Sequence, residues 1–344
     1  MNLQQFVLVM LFALCASCVV NPVPTPEATL AMASDASGDA SGNQNGGIDD
    51  TVVAGVPTDA ADSLTPTVHE VAVKDTEPAA DQIKGPHVVM VATEVLATQK
   101  LVVVLPANKP ADYSLFLQTA ARLGHRAIAL DFTNESVNIT CGAELNCYEP
   151  VRLEILDGQD RSSKIKVNFS NSVQNRLAQL LVWLDKKYPS EGWHQFASGS
   201  TLHWEKIVIV GHYTSAGQAG IIAKVQNVAR VVFLGGPNEA YGMQLAQWVN
   251  ATHATKAESY RAFVHENDGG LAQIQAVCTA LGLNASWMNL DGAAVLKYNN
   301  TKLMLTSLPL NAPTLGVVID GTTPMSAEGK AIYTPIWQLL LKQP

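Results

Sequence analysis

The chain has 344 residues, 47% of them hydrophobic and 15% charged, and a formal net charge of −8. That permits a sizeable core in one large domain or two ordinary ones. The charge is uneven: residues 21–85 carry eleven Asp/Glu against Lys74 and Lys84, and the remainder nineteen acids against twenty Lys/Arg. The acidity belongs to a tail, and the rest lacks the basic excess that nucleic-acid binding requires, so no nucleic-acid partner is expected.

Residues 1–20 hold no charged side chain, and Phe6 to Ala13 is an apolar core followed by Cys15-Ala-Ser-Cys18. The segment reads as a secretory signal, too short in its apolar part to span a bilayer comfortably. Cys18 after Ala16-Ser17 resembles a lipoprotein box, which makes Cys18 a lipidation candidate; ordinary signal cleavage is the alternative. Either reading places the protein outside the cytoplasm, as a secreted, periplasmic or outer-surface lipoprotein, with a membrane anchor through the N-terminus in the lipidated case. In an oxidising compartment Cys141 and Cys147 are expected to form a disulfide, and Cys278, on an apolar helical pattern, to be a buried thiol. Residues 22–85 are rich in Asp, Ala, Ser, Thr, Gly and Pro and contain no aromatic residue. Such a composition cannot offset its ordering entropy, so residues 21–85 are expected to be a disordered linker before a domain at 86–344.

Within that domain, apolar runs at His87–Ala92 and Leu101–Leu105 predict two strands. The spacing of Leu115, Phe116, Ala120 and Leu123 predicts a helix over 112–123, which Gly124 stops, and Arg126–Phe132 is the next strand. Residues 133–170 read as a long irregular excursion. Val173, Leu177, Leu180, Leu181 and Leu184 share one helical face over 171–188, with Asn171 or Ser172 as cap. A Trp-containing loop follows, then a short β-branched strand at Ile207–Val210 and a small-residue helical run at Thr214–Lys224. Further strands are expected at Val228–Leu234, Tyr260–Val264 and Lys302–Leu308, and helices at 242–251, 271–281 and 335–341. Alternating strands and helices of this kind predict an α/β fold with a mostly parallel central sheet and helices on both faces.

Strand, tight turn and helix around Gly211-His212-Tyr213-Thr214-Ser215 form the frame of a nucleophile elbow, Gly-x-Ser-x-Gly. With Leu101-Val-Val-Val-Leu-Pro106, Ala111-Asp-Tyr-Ser-Leu-Phe116, Tyr148-Glu-Pro-Val-Arg-Leu-Glu154 after the paired cysteines, and Val228-Ala-Arg-Val-Val232, the elbow makes residues 86–344 resemble the α/β-hydrolase superfamily. The similarity is to a secreted bacterial branch with a Gly-His-Ser-Gln-Gly elbow. The resemblance implies a carboxylic-ester-hydrolase-like fold, and it assigns positions to this chain.

The nucleophile position is Tyr213, and the triad acid falls on Asp268, with Glu266 second. The histidine position falls near Pro313 or Thr314, and the oxyanion loop at Ala107 and Asn108. A phenol with a pKa near 10 is a poor acyl carrier. The last of eight histidines is His265, before the acid, so no histidine follows in the order nucleophile, acid, base. Related loops carry a Gly-rich turn where this chain has Ala107-Asn-Lys-Pro110, and proline removes a donor. The expectation is therefore a pseudoenzyme, a catalytically degenerate hydrolase retained as a binding module for an unidentified small-molecule or surface ligand. The alternative is an active serine esterase or lipase-like hydrolase using Ser215 at a shifted elbow, although Ser215 also reads as a helix N-terminal residue. A third reading makes Tyr213 an acid or hydrogen-bond donor in non-hydrolytic chemistry. No Gly-x-Gly-x-x-Gly or Walker pattern occurs, and His194, His203 and Glu205 lack ligand spacing, so neither cofactor nor metal is expected.

Overall fold

The computed structural model describes residues 64–291 and 301–342. The signal segment, Cys18 and the linker as far as residue 63 lie outside the described residues. Nine strands form one sheet. In chain order they are β1 (Thr67–Val71), β2 (His87–Val91), β3 (Leu101–Leu105), β4 (Arg126–Ala129), β5 (Ile207–His212), β6 (Arg230–Leu234), β7 (Tyr260–His265), β8 (Met288–Asn289) and β9 (Leu303–Thr306). Their spatial order is β1-β2-β4-β3-β5-β6-β7-β9-β8. The β1–β2 and β2–β4 pairings are antiparallel, and the remaining six are parallel.

The β-branched runs are buried on both faces because helices cover both. Successive side chains alternate between the two cores, as a pleated strand requires. Ile207 and Ile209 enter one core and Val208 and Val210 the other. The first core is covered by α4 (Tyr148–Asp157), α5 (Val173–Lys187), α6 (Ala216–Val225) and α7 (Leu271–Ala280). The second is covered by α2 (Ser114–Arg122) and α8 (Thr334–Leu341). Of the two candidate caps for α5, Ser172 serves: its hydroxyl accepts from the Asn175 N–H at 3.3 Å.

Three expectations are corrected. Residues 64–85 belong to the domain rather than to a linker: β1 pairs in register along β2, and α1 (Val73–Thr76) and Ala80 follow it into the fold. Asn171 Oδ1 accepts from the Asp81 and Gln82 N–H groups, both at 3.1 Å, and Asp131 Oδ1 from those of Lys84 and Gly85 at 3.0 and 3.1 Å. Main-chain pairing and a few well-placed acceptors hold a segment with few apolar residues. Residues 133–170 are not irregular throughout, since they contain α3 (Val137–Cys141) and α4. Residues 242–251 are not a helix: a two-residue hairpin, Ala240–Tyr241 against Gln244–Leu245, precedes a 3-10 turn at Gln247–Asn250.

The expected disulfide is formed between Cys141 and Cys147, with Cα atoms 5.6 Å apart, and Cys278 is a buried free thiol. Chain entropy for so short a loop gives it about 2 kcal/mol. Cys141→Ser/Cys147→Ser is expected to lower the unfolding free energy by that amount, read from urea denaturation.

Candidate functional site

The elbow takes its shape from β5 and α6 packing back to back. Gly211 has no room for a side chain: a Cβ there would lie 2.5 Å from the Ser215 carbonyl oxygen and 2.6 Å from Ala216 Cα. The chain reverses through a 3-10 turn, Tyr213–Ser215, and Tyr213 takes φ = +50°. A left-handed tyrosine costs on the order of 1–2 kcal/mol, a cost the surrounding fold has to impose. Tyr213, the residue that the resemblance assigns to the nucleophile position, is 48% exposed at the C-terminal end of the parallel strands.

Ser215 lies on the inner side of the turn. It is completely buried, and its hydroxyl donates to the Pro106 carbonyl at 2.7 Å. Among the described residues no histidine is hydrogen-bonded to it. Ser215 directly precedes α6, and a nucleophile there would need a base within hydrogen-bond reach.

Asp268 and Thr314, which the resemblance assigns to the acid and histidine positions, are in contact. Thr314, on a helical turn at Pro313–Gly316, donates its hydroxyl to Asp268 Oδ2 at 2.7 Å. Asp268 Oδ1 accepts from the Gly270 N–H at 2.7 Å. Asp268 thus meets a hydroxyl, not a proton-accepting imidazole, beyond the strand ends.

Both neighbouring histidines are structural. His265 is 1% exposed; Nε2 donates to the Leu308 carbonyl at 2.7 Å and Nδ1 accepts from the Asn267 N–H at 3.0 Å. His212 is fully buried, with Nε2 on the Thr314 carbonyl at 3.0 Å and Nδ1 on the Tyr113 hydroxyl at 2.7 Å. Since a carbonyl can only accept, Nε2 carries the proton and Nδ1 accepts from Tyr113. Burial pushes the His212 pKa down to about 4.

Sequence reasoning placed the oxyanion loop at Ala107 and Asn108 and missed what fills it. The Ala107 N–H donates to the Tyr113 hydroxyl at 2.8 Å. Tyr113 is fully buried, and burial pushes its hydroxyl above its usual range against the opposing pull of the Ala107 and Asn108 N–H groups. Ala107 N–H, Tyr113, His212 and the Thr314 carbonyl form one continuous hydrogen-bonded chain. Asn134 closes the other side, with Nδ2 on Thr214 Oγ1 at 2.9 Å and on the Pro106 and Ala107 carbonyls at 3.3 and 3.4 Å. In a sequence, a tyrosine six residues after Ala107 carries no sign that it folds back.

A cleft of about 500 Å³ lies beside this loop, lined by Lys84, Ala107, Asn108, Lys109 and Asp112. Among the described residues no three His, Cys, Asp or Glu side chains gather as metal ligands would.

No family model matches the chain, and no curated protein sequence matches it. Solved structures similar to it include an inhibited esterase B from Lactobacillus rhamnosis, 12% identical, TM-score 0.42, over 82% of this chain and 89% of that one. An α/β serine hydrolase homologue from Coxiella burnetii is 12% identical, TM-score 0.39, over 80% and 95%. An esterase from Pyrococcus furiosus is 12% identical, TM-score 0.34, over 74% and 86%. The fold is read from the chain's own features: a large sheet, parallel but for two pairings at one edge, helices on both faces, and a strained turn leading from β5 into α6. By these features, the chain has the α/β-hydrolase fold.

Proposed function

We propose that this chain is a catalytically degenerate hydrolase, secreted or lipid-anchored, that serves as a binding module for a small-molecule or surface ligand. One observation carries the reading: apart from the half-exposed Tyr213, the polar groups at the assigned acid, histidine and oxyanion-loop positions, and the Ser215 hydroxyl, are already committed to partners within the protein. Asp268 holds Thr314, the Ala107 donor holds Tyr113, and Ser215 holds the Pro106 carbonyl. A working hydrolase needs a nucleophile beside a base and donors aimed at the developing oxyanion. Here no base is hydrogen-bonded to Tyr213 among the described residues, and the loop donor ends on a buried phenol. The half-exposed Tyr213 ring, at the end of the sheet where ligands of open α/β folds bind, is the group a ligand would meet.

The reading predicts that p-nitrophenyl acetate and butyrate turn over no faster with the protein than in buffer. Ser215→Ala is expected to leave that rate unchanged and to cost about 1 kcal/mol of stability, the worth of one buried hydrogen bond. Turnover above background that Ser215→Ala abolishes would establish the esterase alternative instead.

A further inference from the structure

Behind the elbow, α4 carries a buried polar cluster that the site above does not use. Arg152 is 1% exposed and grips Glu239, itself 1% exposed, through Nε to Oε2 at 2.9 Å and through Nη2 to Oε1. The same Nη2 donates to the Thr214 carbonyl at 3.2 Å, in the elbow turn itself. Glu239 also accepts from Trp248 Nε1 at 3.0 Å. Nη1 has no partner among the described residues, so the guanidinium is oriented by Nε and Nη2 alone. The pair lies directly on α6: a Cβ at Gly217 would overlap both Glu239 Oε1 and Arg152 Nη2.

One turn earlier on the same helix, Tyr148 is fully buried and follows Cys147 directly. Its hydroxyl contacts the Gly142 carbonyl, inside the disulfide loop, at 3.1 Å, and the Ala240 carbonyl, next to Glu239, at 3.5 Å. The start of α4 is therefore fastened on one side by a covalent loop and on the other by the residues that seat Arg152. Residues i and i+4 of a helix share a face, so a shift at Tyr148 is passed to Arg152.

We propose that Arg152 is the positioning residue of the elbow turn, and that the Cys141–Cys147 disulfide braces it through Tyr148. Its functional meaning rests on the elbow being the ligand-binding face; the mechanical claim does not. Breaking the disulfide frees α4 to move, the Arg152–Thr214 contact loosens, and the strained turn at Tyr213 relaxes.

Hydrogen–deuterium exchange of the whole chain tests this, comparing oxidised wild type, the same protein reduced with a phosphine, Cys141→Ser/Cys147→Ser, and Arg152→Lys, which keeps the charge and loses the fork. The expected result is faster exchange at the amides of 213–216 in all three altered forms, by about five-fold or more beyond any acceleration at Leu101–Leu105 and Ile207–Val210, whose amides report the global loss of stability. Faster exchange confined to 141–148 on reduction would overturn the proposal, as would equal acceleration through the strands. Should Arg152→Lys fail to fold, the reduced and Cys→Ser forms decide the matter. Ester turnover would sink the degenerate-hydrolase reading and leave this exchange result standing.

Discussion

Lowering the pH from 7 to 5 is expected to remove about 4 kcal/mol of unfolding free energy. Three histidines set the sign. Burial pushes the pKa of His87 down to about 3, and those of His125 and His212 down to about 4, from 6.5. In each case the folded pKa lies below the unfolded one, so between these values the unfolded chain binds more protons. The stability they contribute is full above pH 6.5 and is lost as the pH falls toward 4, at about 2 kcal/mol each by pH 5. Asp320 acts in the opposite sense: burial raises its pKa to about 6, and protonating it favours the folded form below that pH, offsetting part of the loss. The structure shows why the histidines resist protonation. His87 Nδ1 accepts from the Asp131 N–H at 2.9 Å, His87 Nε2 is buried without a partner, and Arg176 adds a nearby positive charge. Urea denaturation at pH 7, 6 and 5 measures the slope; a flat profile over this range would contradict the assignment.

Replacing Arg176 by methionine is expected to cost about 3–5 kcal/mol and to release residues 64–85. Arg176 is fully buried, and its Nη1 pairs with Asp131 Oδ2 at 2.7 Å. Its Nη2 donates to the Gln82 carbonyl at 2.7 Å and to Asn171 Oδ1 at 2.8 Å. Asp131 and Asn171 are the acceptors that hold the Asp81–Gly85 main chain. Methionine fills the volume of the stem but leaves the Asp131 carboxylate buried without its counter-charge, and that unpaired charge is the source of the loss. Two readouts check it: the midpoint of urea unfolding, and limited proteolysis, which should open new cleavage sites within 64–85 before the sheet is attacked. A change below 1 kcal/mol with the segment still protected would refute it.

The parts of this molecule that follow apolar periodicity were legible in the sequence. The strands at 87–91, 101–105, 207–212, 230–234 and 260–265, the helix α5 and the elbow frame all stand where β-branched runs, cap residues and small-residue turns placed them. Misreadings occurred where polar groups make the structure. β1 shows little burial preference, and main-chain pairing with β2, which composition does not report, holds it. The apolar stripe of α4 is interrupted by Arg152 and Glu154, both buried and both hydrogen-bonded to polar partners, so its pattern resembles that of a loop. The site divides in the same way. Sequence order supplied Tyr213, Asp268 and Thr314 as candidates, and the last two are hydrogen-bonded to each other. Tyr113, Asn134, Arg152 and Glu239 escaped notice because their roles depend on folding back onto the elbow from separate parts of the chain.

The central proposal is that no hydroxyl among the described residues is poised for acyl transfer. Incubation of the oxidised protein with a fluorophosphonate, followed by intact-mass measurement and peptide mapping, tests it most directly. The account predicts unmodified protein at Tyr213 and Ser215 under conditions that fully label an active serine esterase. A stoichiometric phosphonyl adduct on either residue would contradict it.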